Sequence, residues 1–357
     1  MKYFKLLSLR FIIFVLFSLA PISLLPELQA VDSNVNCLTI LSGKSIAGQT
    51  TPGSQSLSDE LVSQFRNAKT VRIVIDLSFK EAQNVEMPIR ELTEGLLSKY
   101  VALRIVKTGG DLIFRVNASG KALSASYMGV GTQYSGAQLT GEISLEIPGK
   151  ASYEKPFENF RTPGKITSSS RPTPTSAPFW EIVVFNEPYE GGFIQASVKL
   201  LSEIYGTDFL KGLLKRRRPS VMGEANFCAY SIIELARLNN KDAIKQISEL
   251  LETWDDDALV INEAINALLA FADSSSAVSL VNFLKRAQGP FYFEAVGNAL
   301  VKIGRPSIEP LIKYLREEQI EGNRNEAWKI LEAIAKEKFG RDLDELEKWW
   351  EKNKKQN

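Results

Sequence analysis

Histidine is absent from the 357 residues of this chain. Its absence removes the commonest general base and the commonest transition-metal ligand. It also excludes any nucleophile within the chain that pairs serine or cysteine with histidine. Cysteine is scarce, with Cys37 and Cys228 alone, so a zinc site would depend mainly on carboxylates. We therefore predict no metal and no cofactor, and expect a protein that is not an enzyme.

An excess of either charge is also lacking, since 43 Lys and Arg residues face 42 Asp and Glu residues. A balanced chain gives no reason to expect a nucleic-acid partner. One dense basic cluster lies at 215–218, before Pro219, where cations complement the end of a helix and proline stops it. The alternative is that Arg216 and Arg217 contact an acidic partner or anionic lipid, giving a peripheral membrane contact.

No apolar run is long enough to span a bilayer without interruption. Lys2, Lys5 and Arg10 precede an apolar stretch, 11–25, which Pro21 interrupts. A basic start, a short apolar region and Ala30 at a plausible cleavage position are typical of a secretory signal. We predict a signal peptide over 1–30, with 31–57 as an N-terminal extension of an exported protein in the periplasm or cell envelope. An uncleaved signal anchor over 6–25 is the alternative.

Residues 58–160 alternate between helical and strand patterns. A helix is predicted over 58–67, a half-buried strand over 71–79, and a second helix with Pro88 in its first turn. Strands at 101–106 and 112–116 flank Gly109-Gly110, which predicts a hairpin. Further strands are predicted at 122–128, 139–147 and 151–157. The order indicates an α+β domain with one mixed or antiparallel sheet and two helices packed on one face.

Residues 161–178 are rich in Ser, Thr and Pro and predict a linker, because this composition cannot build a core. A junction strand follows within 179–190, which either returns to the sheet or begins the next region. Helical repeats are predicted over 191–355.

The repeats show in the dipeptide Glu-Ala, which recurs at 263, 294 and 326, intervals of 31 and 32 residues. Each copy begins an apolar stripe with helical spacing, and a second stripe follows after a turn. Helix pairs of this size cannot bury their stripes alone, so an array is expected.

The segment 298–312, with Ile303-Gly304 before a turn and Pro310-Leu311-Ile312 in the next helix, resembles the HEAT repeats, particularly the phycobilisome-lyase-like class. The resemblance spans roughly the last third of the chain. It implies an all-α, HEAT-like solenoid after the α+β domain. In such solenoids the second helix of each pair lines the concave surface.

The polar residues of those second helices are therefore the predicted partner-binding positions: Lys245, Glu249, Asn282, Lys285, Lys313 and Arg316. On the last helix, Trp349 is predicted to contact the partner and Trp350 to pack against the end of the core.

These features favour an exported, non-catalytic scaffold or adaptor that binds a protein partner. Three alternatives stay open. The resemblance also implies a lyase that attaches a chromophore, which a signal peptide argues against. A carboxylate-based hydrolase could use Asp76 and Glu81, and the basic cluster could place the protein on a membrane surface.

Overall fold

The structure is a computed structural model that describes residues 57–79, 82–126, 132–161, 192–215, 224–253, 258–286 and 290–354. The predicted signal peptide and extension, the junction strand and nearly all of the linker lie outside these ranges, as do Cys37, Arg216 and Arg217. None of the helices formed by the described residues combines the length and apolar character needed to span a bilayer.

The first region contains a mixed sheet of five strands in the order β2-β1-β3-β4-β5. The strands are β1 (Thr70–Leu77), β2 (Arg104–Ile105), β3 (Leu112–Ser126), β4 (Thr132–Ile147) and β5 (Ala151–Arg161). β1 is parallel to both β2 and β3, whereas β4 is antiparallel to both of its neighbours, β3 and β5. The predicted α+β fold with a mixed sheet is confirmed.

The predicted hairpin across Gly109-Gly110 is wrong, because β1 lies between β2 and β3. Both glycines have positive φ (66° and 103°), which lets the chain turn around the start of β1. The Asp111 carboxylate fixes that turn by accepting hydrogen bonds from the backbone N–H groups of Lys69 and Thr70, each at 2.9 Å. These bonds and the one from the Thr70 hydroxyl lower the pKa of Asp111.

The described part of this region also forms two helices, α1 (Asp59–Asn67) and α2 (Ala82–Tyr100). Ser58 caps α1 by accepting from the backbone N–H of Leu61 at 3.2 Å. Pro88 lies inside α2 rather than in its first turn, which corrects the prediction. The flanking residues Val85 and Ile89 are fully buried, so packing outweighs the local cost of proline in the helix.

The described residues from 192 onward form five consecutive pairs of helices. They are α3 (Phe193–Tyr205) with α4 (Thr207–Leu213), α5 (Glu224–Arg237) with α6 (Ile244–Thr253), α7 (Ala258–Phe271) with α8 (Ser274–Leu284), α9 (Pro290–Ile303) with α10 (Ile308–Glu317), and α11 (Glu321–Ala335) with α12 (Leu343–Asn353). Short 3-10 turns at Lys241–Ala243 and Arg305–Ser307 precede α6 and α10.

The pairs stack in two rows. The first helices form one row, in which each of α3, α5, α7, α9 and α11 contacts the next, and α6, α8, α10 and α12 form a second row in the same way. The apolar stripes meet between the rows, where Leu268, Leu300 and Leu311 are fully buried. The predicted all-α region after the sheet domain is confirmed.

The sheet and the stack share one apolar core, because α3 packs against β4 and β5. The rings of Phe157 on β5 and Phe193 on α3 meet edge to face, with their centroids 5.6 Å apart. Beside them, Lys155 forms an ion pair with Glu203 at 2.8 Å, and the Tyr153 hydroxyl donates to the same carboxylate. The first helix of the stack, α3, therefore also covers β4 and β5 of the sheet, and α2 packs against β1 and β2.

Candidate functional site: a groove across the second helices

A groove of about 1070 Å³ crosses the last three helices of the second row. Residues of α8, of α10 with its preceding turn, and of α12 line it: Ser274, Val278, Val281, Asn282, Lys285, Arg305, Pro306, Glu309, Pro310, Ile312, Lys313, Arg316, Glu317, Glu347, Trp350, Glu351 and Lys354. Four of the predicted partner-binding residues, Asn282, Lys285, Lys313 and Arg316, are among them.

Helical spacing brings these side chains to one surface. On α8 they recur at 274, 278, 281, 282 and 285, which is one face of a helix. The Asp273 carboxylate fixes the start of that helix by accepting from the backbone N–H of Ser276 at 2.9 Å. On α12, Asp342 acts in the same way, accepting from the backbone N–H groups of Asp344 and Glu345.

The groove has an apolar floor, made by Val278, Val281, Pro306, Pro310 and Ile312, and Trp350 lines it from α12. Val281 and Ile312 are buried, whereas Val278 is 45% exposed. The guanidinium of Arg305 lies over the ring of Trp350, with its central carbon 5.8 Å from the ring centroid, and also donates to the backbone carbonyl of Asn353. Trp350 is thus fixed as an aromatic wall of the groove.

The two neighbouring tryptophans differ in their surroundings. The sequence predicted Trp349 as the contact residue and Trp350 as the packing residue. The structure places Trp350 in the groove, and turns Trp349 toward Phe339, with the ring centroids 5.3 Å apart and the planes inclined at 65°. Trp350 is therefore the better candidate for partner contact.

A polar ladder joins successive helices of the second row. Ser248 donates to Ser279 at 2.6 Å, Lys285 pairs with Glu317 at 2.6 Å, and Arg316 pairs with Glu347 at 2.5 Å. The hydrogen bond from Lys285 lowers the pKa of Glu317. Two of the predicted binding residues, Lys285 and Arg316, thus connect neighbouring helices that line the groove.

Lys313 and Glu309 on α10 differ from these pairs. Both line the groove, and among the residues that the structure describes neither side chain has an ion-pair or hydrogen-bond partner. Lys245 and Glu249 are exposed on α6, one helix before those that line the groove. Arg216 and Arg217 lie outside the described residues, and the preceding Lys215 is exposed.

A second cavity, of about 740 Å³, lies at the carboxyl end of β1. Asp76, Asn117 and Glu142, neighbours across β1, β3 and β4, help to line it. Asp76 pairs with Arg115 at 2.8 Å, and Glu146 binds the same guanidinium. Glu81, the proposed second carboxylate of a hydrolase, lies outside the described residues.

The described carboxyl group with a raised pKa is elsewhere. Burial raises the pKa of Glu263, which lies on α7 and lines neither cavity. Among the described residues, no group of three or more cysteine, aspartate or glutamate side chains is placed to bind a metal ion.

Comparison with known proteins adds little. No protein-family model matches the chain, and no curated protein matches it. Among solved structures, rare lipoprotein B from Shewanella oneidensis is similar at 18% identity, covering 27% of this chain and 73% of that protein, with a TM-score of 0.17. A TM-score this low does not establish a shared fold.

Proposed function

We propose that the chain is an exported, non-catalytic adaptor, built on a HEAT-like helical array, that binds a partner protein in the groove across α8, α10 and α12. The observation behind the proposal is the groove itself, with its apolar floor, its aromatic wall and its charged rim. Protein interfaces commonly combine an apolar centre that includes Trp or Arg with a polar rim.

The framework of the groove is suited to binding because its helices pack on buried residues, Leu280 of α8, Leu311 of α10 and Leu346 of α12. The polar ladder connects α6 to α8, α8 to α10 and α10 to α12. A partner that enters a prearranged groove loses less free energy to ordering the receptor than one that must first assemble it. Trp350 and Val278 would then supply most of the apolar contact, and Lys313 and Glu309 are available for polar contact.

Cross-linking from two exposed valines tests this proposal. A photoreactive amino acid at Val278, which lines the groove, is expected to cross-link to a protein partner in the source cell. The matched control is Val301 on α9, which is 36% exposed and outside the groove. Cross-links from both positions alike, or from Val301 alone, would contradict a groove-specific interface.

Export is tested separately. The apolar region and Ala30 predict that the mature protein begins close to residue 31 and is recovered from the envelope or periplasmic fraction. N-terminal sequencing of protein purified from fractionated cells checks both points. A full-length protein in the cytoplasmic fraction would remove export from the proposal and leave the groove unaffected.

A further inference from the structure

We infer that the segment bound in the groove is a peptide of the partner that presents carboxylate side chains beside an apolar anchor. This inference rests on the proposed function and adds the chemistry of the occupant. The inference depends on which charged side chains of the groove already form ion pairs with one another and which do not.

The groove is lined by five cations and four carboxylates, and most of them neutralise one another. Lys285 pairs with Glu317, Arg316 with Glu347, and Lys354 with Glu351 at 2.5 Å. Arg305, Lys313 and Glu309 form no ion pair among the described residues, although Lys313 is close enough to Glu317 to help lower the pKa of that carboxyl. Five cations against four carboxylates leave the groove with a net charge of +1, and two of the three residues without an ion pair are cations.

The position of these three residues restricts the ligand. Arg305, Glu309 and Lys313 follow one another at four-residue intervals, so they lie along one side of α10 and the turn before it, next to the apolar floor. A bound segment covering the floor would shield Lys313 and Arg305 from water. Shielded cations require a counter-charge, which the carboxylates of the occupant would provide.

A polyanion fits this groove less well than a peptide does. The two cations without an ion pair, Arg305 and Lys313, are too few for the closely spaced phosphates of a nucleic acid, which needs a row of basic residues along its backbone. The apolar floor with Trp350 and two prolines matches side chains such as Leu or Phe, which a mixed peptide sequence offers next to Asp and Glu.

Peptide selection tests the inference directly. A random peptide library displayed on phage would be selected on the purified protein, and the recovered peptides synthesised. Groove-dependent peptides are defined as those whose binding is lost in Asn282→Trp, which fills the groove at an exposed position without changing charge. Loss of binding in Trp350→Ala is a second criterion for a groove-dependent peptide. Circular dichroism verifies that each variant is folded.

We expect groove-dependent peptides to be enriched in Asp and Glu next to an apolar residue. Their affinity should fall about tenfold in Lys313→Glu at low ionic strength, because attraction becomes repulsion. The control is Lys302→Glu, the same charge change on exposed Lys302 of α9, outside the groove, which should alter affinity less than twofold.

The outcomes separate this inference from the proposed function. Groove-dependent peptides that are neutral or basic, or that bind Lys313→Glu undiminished, would overturn the acidic occupant and leave the groove as a peptide-binding site. Recovery of no groove-dependent peptide would overturn both. Preferential binding of a single-stranded oligonucleotide over every selected peptide would likewise overturn the peptide assignment.

Discussion

At the scale of single residues, the most unusual side chain is Glu263, a carboxyl that is only 8% exposed on α7. Its counterparts in the next two repeats, Glu294 and Glu326, are exposed. Burial raises its pKa because the charged form loses water, and a hydrogen bond with Asn266 offsets part of the effect. The raised pKa means that the folded state resists ionisation of this group.

We predict that Glu263→Gln stabilises the protein at neutral pH. Below pH 4.5, the ordinary value for glutamate, the carboxyl is neutral in both the folded and the unfolded chain. As the pH rises from there toward the folded pKa, the unfolded chain ionises first, so the free energy of unfolding falls. The gain from glutamine should therefore shrink on acidification. Urea denaturation midpoints of the wild type and Glu263→Gln, measured at neutral pH and below pH 4.5, give the change in stability. Glu294→Gln is the exposed control, and its midpoint should change little.

The Trp349–Trp350 pair shows what the sequence left undetermined at this scale. Adjacent residues on a helix point about 100° apart, so the pattern indicated that one ring packs and the other faces outward. In the structure both tryptophans pack partly against the core, and Trp349 also contacts Phe339, a residue in the loop before the helix. No local pattern specifies this contact.

At the scale of elements, the groove depends on where α12 begins. The Asp342 carboxylate accepts hydrogen bonds from the N–H groups of Asp344 at 2.9 Å and Glu345 at 3.1 Å. We predict that Asp342→Ala costs about 1 kcal/mol of stability, the usual loss of an N-cap. Asp342→Asn keeps an acceptor and should cost only a small part of this. Chemical denaturation of the three proteins gives the comparison, and equal losses would show that the cap bonds contribute little.

The helices of the stack could be predicted because each presents an apolar stripe with a period near 3.6, interrupted by turn residues. Asn282, Lys285, Lys313 and Arg316 followed from that period and line the groove. Arg305 and Pro306 were missed because they lie in the turn before α10, where the helical period gives no information. The ion pairs of Lys285 and Arg316 were missed because they join helices about one repeat apart.

In the sheet, the local sequence pattern predicted where strands form but not which strands pair with one another. Alternation identified β1, and strands were predicted within β4 and β5. The single strand β3 was predicted as two, 112–116 and 122–128, and the turn at Gly109-Gly110 was taken for a hairpin. The contact that places the turn beside β1 is long-range: Asp111, directly after the two glycines, accepts a hydrogen bond from Thr70, 41 residues earlier in the chain. Strand order therefore depends on long-range contacts that alternation cannot reveal.

At the scale of the whole molecule, the sheet and the first helix pair should behave as one unit. Phe157 on β5 is 4% exposed and contacts Phe193 on α3. We predict that Phe157→Ala costs about 3–5 kcal/mol locally and speeds amide exchange in β5 and α3 together. Exchange in α10 and α12 should be unchanged, because a stacked repeat contacts only its neighbours.

Hydrogen exchange with mass spectrometry makes this measurement. Phe271→Ala, a buried phenylalanine on α7, is the matched control and should speed exchange in the middle of the stack while sparing β5. Faster exchange in β5 alone after the Phe157 change would mean that the sheet is an independent domain.

The strand order also bears on how the chain acquires its shape during synthesis. β1 leaves the ribosome before either of its neighbours, and the residues that join it on the β3 side follow some 41 positions later. At ordinary elongation speeds that interval lasts about 2 to 8 seconds. Throughout it the edge of the nascent strand that β3 will cover is without a bonding partner, so this is the stage at which a chaperone would have the most to protect.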